Sequence, residues 1–408
     1  MKVVIKSTVA LTAAHAVGYS ISLAEVPILA RALGPQAYGE LLWVQMTALL
    51  ISMLVDYGFT LSASRQVAQA RSNPNKLKTI VGNVFLAKVI LLATVAVPMV
   101  LLYVLFKPVD LALAFAGFIY MTAFGMSPFW YFQGMEKMGR AVTIEIITRT
   151  AALLGLLMLV KEPADAPLAL WLMASGGLVC SAITSWICLR EVAQVQASIA
   201  GAIAQIKNST SIFVYKSSSN LVTTAATSVL GAVSNTTAVA IYATADKVVK
   251  AVTGLALPVL NALYPHLSRL FVEHHHKTGR QALIISSLIF SVGVIAALVF
   301  ILIGPVLMAW LLGPGFDQAG ALLSLMVWLI PLRLGNQALG FTLLLPAGRE
   351  RQASVSMLIC AGVSLLLGAI FALMHGAAGM VSGLLIGEVL LLLSQLFISK
   401  RVLWQDDR

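Results

Sequence analysis

Long apolar stretches, interrupted at short intervals by polar and charged residues, set the pattern of this chain. A bilayer-crossing helix takes about 20 predominantly apolar residues. Twelve stretches reach that scale, near 9–31, 41–64, 78–105, 111–132, 141–160, 168–189, 211–234, 238–265, 281–312, 318–345, 353–374 and 377–398. The pattern predicts twelve membrane-spanning helices, of which the second, eighth and tenth are the most polar inside. The opening MKVVIK, followed by an apolar run, imitates a secretory leader, and Ala14-His15-Ala16 imitates its cleavage site. Apolar character nevertheless continues to Ala30, so the reading is an uncleaved first span.

Composition agrees with that reading. The 408 residues are 59% hydrophobic and 11% charged, and a mean hydropathy of +0.93 excludes an ordinary soluble domain. The net charge of +11 is distributed as a topology signal. With the N-terminus inside, the inner connections and tails hold 18 of the 27 Lys and Arg residues, and the outer loops hold Arg31, Lys107 and Lys161. That bias predicts both termini in the cytoplasm. The longest inner connection, near 190–210, has the apolar spacing of a helix lying at the interface. It falls mid-chain, which predicts an N-lobe at 1–190 and a C-lobe at 211–400, joined by a linker at 191–210 and followed by a short tail at 401–408. The segments LGPQAYG (33–39) and LGAVSNTTAVAIYATA (230–245) share a Leu-Gly then Tyr order, which does not by itself establish a repeat.

The candidate chemistry is charge at bilayer depth. Six cations, Lys88, Arg149, Lys216, Lys247, Lys250 and Arg333, and five carboxylates, Glu25, Asp56, Glu145, Asp246 and Glu388, fall inside spans. Each costs roughly 2.5–3.5 kcal/mol at the centre of a lipid-facing helix. Accepting that cost repeatedly points to a polytopic protein with a wet interior and a charged cargo. Glu145–Arg149 and Asp246–Lys250 are spaced i,i+4, which places each pair on one helix face. Such pairs either neutralise each other or expose a cation that trades its carboxylate for an anionic ligand. Lys247 is then a surplus cation. Glu25, Asp56 and Glu388 lack a local partner, so each either pairs across the bundle or serves as a proton or sodium coupling site. Arg31 reads as an interfacial anchor or a contact for the cargo.

Other features read more plainly. His15 reads as a hydrogen-bonded interior histidine. His274-His275-His276 lacks companion ligands, so no metal site is expected. Cys180, Cys188 and Cys360 read as small apolar fillers. The aromatic run Phe129-Trp130-Tyr131-Phe132 reads as an interface anchor. There is no GxxxxGK[ST] segment and no nucleophile constellation, so neither a cofactor nor an enzymatic reaction is expected.

The segments ARALGPQAYGELLWV (30–44), DYGF (56–59) and FWYFQGMEKMGRA (129–141), then AIYATADKVVKAV (240–252), YPHLSR (264–269) and LLGPGFDQA (311–319), fall in order along the whole chain. Together they resemble Wzx-type flippases, the polysaccharide transport branch of the multidrug/oligosaccharidyl-lipid/polysaccharide exporter superfamily. The resemblance implies an all-α fold of twelve helices in two six-helix lobes around a central cavity, working by alternating access. It implies an undecaprenyl-diphosphate-linked oligosaccharide as cargo, moved from the inner to the outer leaflet of a bacterial inner membrane. A polysaccharide polymerase and a chain-length regulator are candidate protein partners, and nucleic acid is not. Arg65 and Arg71 are topology charges or first contacts for the diphosphate.

Two alternatives stay open at this point. One is a drug/cation antiporter of the same superfamily, which a basic interior disfavours. The other is a membrane glycosyltransferase or polymerase on the same lipid carrier, which the short outer loops disfavour.

Overall fold

In hydrocarbon, backbone N–H and C=O groups must be satisfied within their own segment, so apolar stretches of this length fold as helices. The computed structural model has helices and turns and no strand among the described residues. It describes residues 2–106, 108–273 and 275–404, with side chains except at 2–17, 19, 211, 214–223, 258, 261, 262, 265, 266, 272, 273, 275–277 and 401–404. His15, Lys107, Lys216 and the histidine run 274–276 therefore lie outside the described side chains.

The chain divides into two compact units, Met1–Asn220 and Leu221–Arg408. Unit 1 contains α1 (Lys2–Asp56), α2 (Phe59–Ala70), α3 (Pro74–Phe106), α4 (Leu111–Gly125), α5 (Phe129–Gly134), α6 (Met138–Leu159), α7 (Ala166–Val192) and the first part of α8 (Ile199–Val233). Unit 2 contains the rest of α8, α9 (Thr236–Gly254), α10 (Ala256–Glu273), α11 (His275–Leu312), α12 (Ala319–Met326), α13 (Leu329–Leu339) and α14 (Glu350–Trp404).

Helices α1 and α14 are 55 residues each. At 1.5 Å per residue that is about 80 Å, more than twice the hydrocarbon thickness. Each bends once, at a glycine with positive φ: Gly34 (φ 71°, ψ 177°) and Gly376 (φ 55°, ψ −132°). Side-chain-bearing residues avoid this region, so glycine makes the reversal possible. Each long helix thus makes two passes. Eight helical segments among the described residues are long and apolar enough to cross a membrane. With the two 51-residue segments counted twice, these make ten passes among the described residues, and α8 and α9–α10 fall where the sequence predicts the seventh and eighth.

The most polar spans are broken helices. The second breaks at Tyr57 (φ 43°) and Gly58 (φ 74°), between α1 and α2. The eighth breaks between α9 and α10. The tenth is split into α12, α13 and a π turn at Gly340–Leu344. The fourth, which carries no charge, also breaks between α4 and α5.

In unit 1, α4 packs on α1 and α7, α6 packs on α7, and α2 packs on α5. The aromatic run departs from its expected place. Trp130, Tyr131 and Phe132 turn into the protein instead of facing the surroundings, and they form a core with Phe59, Val67 and Val84. Phe85 meets the edge of Trp130 at 6.0 Å. The short α5 turns its aromatics inward because it doubles back against α2.

The linker region also takes a definite form. α8 runs unbroken from Ile199 into the seventh span. Its first half docks on α2 and α3. Gln66 and Gln205 exchange amide hydrogen bonds of 2.9 Å each, Ser62 and Ser209 hydroxyls meet at 2.8 Å, and Tyr57 stacks on Phe213 at 4.5 Å.

Candidate functional site

Each unit carries a cluster of charge inside its helices. In unit 1 the centre is Lys88 of α3, which is wholly buried. Its ammonium donates to Asp56 Oδ1 at 3.2 Å, to the Gly125 carbonyl at 2.9 Å and to the Ser127 carbonyl at 2.9 Å. These three acceptors match the three N–H donors of a lysine. Asp56 closes α1 at the break in the second span, and Thr60 of α2 donates to both its carboxylate oxygens, at 3.0 and 2.9 Å. The Gly125 and Ser127 carbonyls are available because the helix ends there, leaving its last C=O groups without intrahelical partners. One lysine therefore pins two helix breaks.

Glu145 and Arg149 of α6 form their i,i+4 pair at 2.7 Å, with both side chains partly exposed. Arg149 also lies 5.9 Å from the centroid of Phe124, within cation–π range. Glu25 is half-buried and Arg31 is exposed, both on α1.

In unit 2 the centre is Asp246 of α9, 3% exposed at its side chain. Lys250 meets one of its oxygens at 2.5 Å, and Arg333 of α13 approaches the other at 3.4 Å. Arg333 reaches Glu388 of α14 with its Nε, also at 3.4 Å. Asn336 fixes Glu388 by donating to Oε2 at 2.7 Å and to its backbone carbonyl at 3.1 Å. The four charged groups sum to zero. Lys247, half-buried on the same helix, has no ion pair among the described residues and adds one positive charge. The buried Tyr242 hydroxyl and Asn336 Oδ1 have no hydrogen-bond partner among the described residues. The cluster is thus polar, cationic in balance, and incompletely satisfied by the protein itself.

The structure brings together Asp56 with Lys88, Glu145 with Arg149, and Asp246 with Lys250, Arg333 and Glu388. Asp56 and Glu388, which had no local partner in the sequence, pair with a cation on another helix. Thr60 and Asn336 were missed. Their signal was present, since Thr60 is four residues after Asp56 and Asn336 three after Arg333, each on the face of its charged neighbour. A metal-binding group of His, Cys, Asp or Glu is absent among the described residues.

A third charged cluster lies at one end of unit 1. Lys137 and Arg140 pair with Glu191 at 2.8 and 3.1 Å, and the Tyr131 hydroxyl donates to the same carboxylate at 2.9 Å. Arg71 pairs with Glu136 at 2.9 Å and donates to the Gly134 carbonyl at 2.6 Å. The hydrogen bond from Arg71 and its charge hold the Glu136 carboxyl below its ordinary value.

Long apolar helices with neutralised and surplus charge inside them define a polytopic membrane protein. Solved structures with this fold include an inward-facing multidrug resistance transporter of the MATE family (TM-score 0.75, 13% identity, 95% of this chain and 96% of that one). The lipid II flippase MurJ also shares it (TM-score 0.77, 12% identity, 97% of this chain and 87% of that one). The model of the polysaccharide biosynthesis protein family matches residues 4–271, and the chain belongs to that family. It is 27% identical over 396 residues to a Shigella dysenteriae protein named as a candidate O-antigen transporter, covering 96% of this chain and 98% of that one. A protein of the same name from Escherichia coli strain K12 is 27% identical over 356 residues, covering 86% and 85%. The likeness to Wzx-type flippases read from the motifs is borne out.

Proposed function

We propose that this chain is a flippase that moves an undecaprenyl-diphosphate-linked oligosaccharide, an O-antigen or related repeat unit, from the inner to the outer leaflet of a bacterial inner membrane. In this reading the termini are cytoplasmic and the cycle is alternating access driven by an ion gradient. The observation that carries the reading is the buried cluster of unit 2, in which Arg333 sits at 3.4 Å from each of two carboxylates. These contacts are long for charge-assisted hydrogen bonds, which prefer about 2.7–2.9 Å. A planar guanidinium matches phosphate oxygens bidentately. A proton or sodium ion taken up at Asp246 or Glu388 lowers the hold on Arg333 and releases it, with Lys247 and Lys250, to a diphosphate. Release of the diphosphate restores the neutral cluster. In the same reading Arg31 and Arg149 are further contacts for the head group, and Glu25 is a second coupling carboxylate. Lys216 belongs to the same proposed set. Lys88, whose donors are engaged within unit 1, holds the helix breaks. A polymerase and a chain-length regulator are the proposed recipients of the product.

The likeness of fold to a multidrug exporter favours a second reading, drug/cation antiport, which the surplus of cations in unit 2 opposes. One experiment separates the two: the leaflet location of the lipid-linked repeat unit in a strain lacking the chain. Accumulation on the cytoplasmic leaflet, reversed by the chain, is the expected result. Normal outward movement together with raised sensitivity to cationic drugs assigns the antiporter instead.

A further inference from the structure

At the end of unit 1 where α6 begins and α7 ends, two cations and a hydroxyl meet one carboxylate and a third cation lies beside it. Glu191 is held by three donors: Lys137 and the Tyr131 hydroxyl reach Oε2 at 2.8 and 2.9 Å, and Arg140 reaches Oε1 at 3.1 Å. Arg190, the preceding residue on α7, has no carboxylate partner among the described residues. Its guanidinium lies instead 5.2 Å from the centroid of the Trp186 ring. Trp186 is 59% exposed, one turn from the exposed Ile183 and Leu189. That combination, an apolar face ending in an aromatic and a cation, marks the level where hydrocarbon gives way to head groups. Trp186, Ile187, Arg190 and Glu191 line a recess of about 370 Å³. Lys137, Arg140 and Arg190 against Glu191 leave two positive charges around it.

We propose that this recess binds the phosphodiester head group of an anionic phospholipid. Arg190 supplies a guanidinium fork without having to break an ion pair. Arg140, whose side chain is 64% exposed, can add a second contact while Lys137 keeps Glu191 neutralised. Trp186 packs against the glycerol and the upper acyl chain. The volume lies within the range of small-molecule sites, and basic recesses beside lipid-facing helices recognise anionic head groups. Free phosphate lacks the acyl chains that would bury Trp186. A zwitterionic head group brings a cation toward Arg190 and Arg140.

The test is native mass spectrometry of the full-length chain released from micelles doped with phosphatidylglycerol, phosphatidylcholine or undecaprenyl diphosphate at equal mole fraction. Phosphatidylglycerol is expected to be retained above the other two. Arg190→Gln should lower that retention about fivefold, while Lys161→Gln at the opposite end of α6 leaves it unchanged. Trp186→Leu, which keeps apolar bulk, reads the same site if the arginine variant does not fold. Equal retention of phosphatidylcholine, preferential retention of the diphosphate lipid, displacement by inorganic phosphate, or wild-type retention in both site variants overturns the proposal.

Discussion

Replacing Lys88 by methionine keeps the length of the side chain and deletes its charge. Three acceptors then lose a donor at once: Asp56 Oδ1 and the carbonyls of Gly125 and Ser127. Two magnitudes compete. If the lysine acts as an ordinary interhelical polar contact in a membrane, its loss costs about 0.6 kcal/mol. If it neutralises a buried carboxylate, removing it leaves an uncompensated charge and costs about 3–5 kcal/mol. Asp56 is 18% exposed at its side chain and keeps Thr60, so the lower end, about 3 kcal/mol, is expected. Asp56→Asn in the Lys88→Met background removes the stranded charge and should return about 1 kcal/mol, leaving the two carbonyls unsatisfied at about 1 kcal/mol each. The assay is unfolding of the purified full chain in mixed micelles by titration with dodecyl sulfate, followed by tryptophan fluorescence. A loss below about 1 kcal/mol in Lys88→Met, or no recovery in the double variant, refutes the view of Lys88 as a neutralising pin for the two helix breaks.

Charge reversal at Lys247 should abolish surface polysaccharide at unchanged protein level, because the surplus cation becomes an anion beside Asp246; wild-type polysaccharide in Lys247→Glu removes that residue from the mechanism. Glu388→Gln should flatten the pH dependence of transport, whereas Asp56→Asn should mainly lower stability, so the opposite assignment would move the coupling group to unit 1. Glu136 is held below its ordinary value by Arg71, so its contribution is present above the unfolded value and lost as pH falls through the folded one. Thermal melts of wild type and Glu136→Gln should therefore differ at neutral pH and converge in acid; a difference that persists in acid contradicts the pairing. Gly376→Ala should destabilise by about 1–3 kcal/mol, since alanine does not tolerate that backbone region, and an unchanged unfolding midpoint would show that the bend relaxes.

The spans were legible because a bilayer imposes a length and an apolar composition that nothing else in the chain imitates. The polar interiors of the second, eighth and tenth were legible too, but not their meaning: Asp56, Asp246 and Arg333 sit on segments whose helices break. The i,i+4 pairs could be read because helix geometry fixes them locally. Asp56–Lys88 and Arg333–Glu388 could not, since 32 and 55 residues separate the partners and only packing brings them together. The aromatic run at 129–132 misled for a related reason. An anchor and a core aromatic have the same composition, and the fold of α5 against α2 decides between them. The region before the seventh span had the periodicity of a helix lying at the interface, and the Gln66–Gln205 and Ser62–Ser209 contacts that hold it to α2 have no signature in one sequence.

The double partnership of Arg333 also bears on the order in which the chain is made. When the ribosome has synthesised the tenth span, Glu388 does not yet exist; it lies 55 residues further on, about 3–11 s away at 5–20 residues per second. Asp246 is already in the membrane, carried there with Lys250 as a self-neutralised pair. It alone of the two carboxylates can receive the arginine during that interval, so the residue that shares Arg333 in the finished protein is the one that makes insertion of the tenth span tolerable. A nascent chain that stops short of the twelfth span leaves the guanidinium with one of these two carboxylates instead of both.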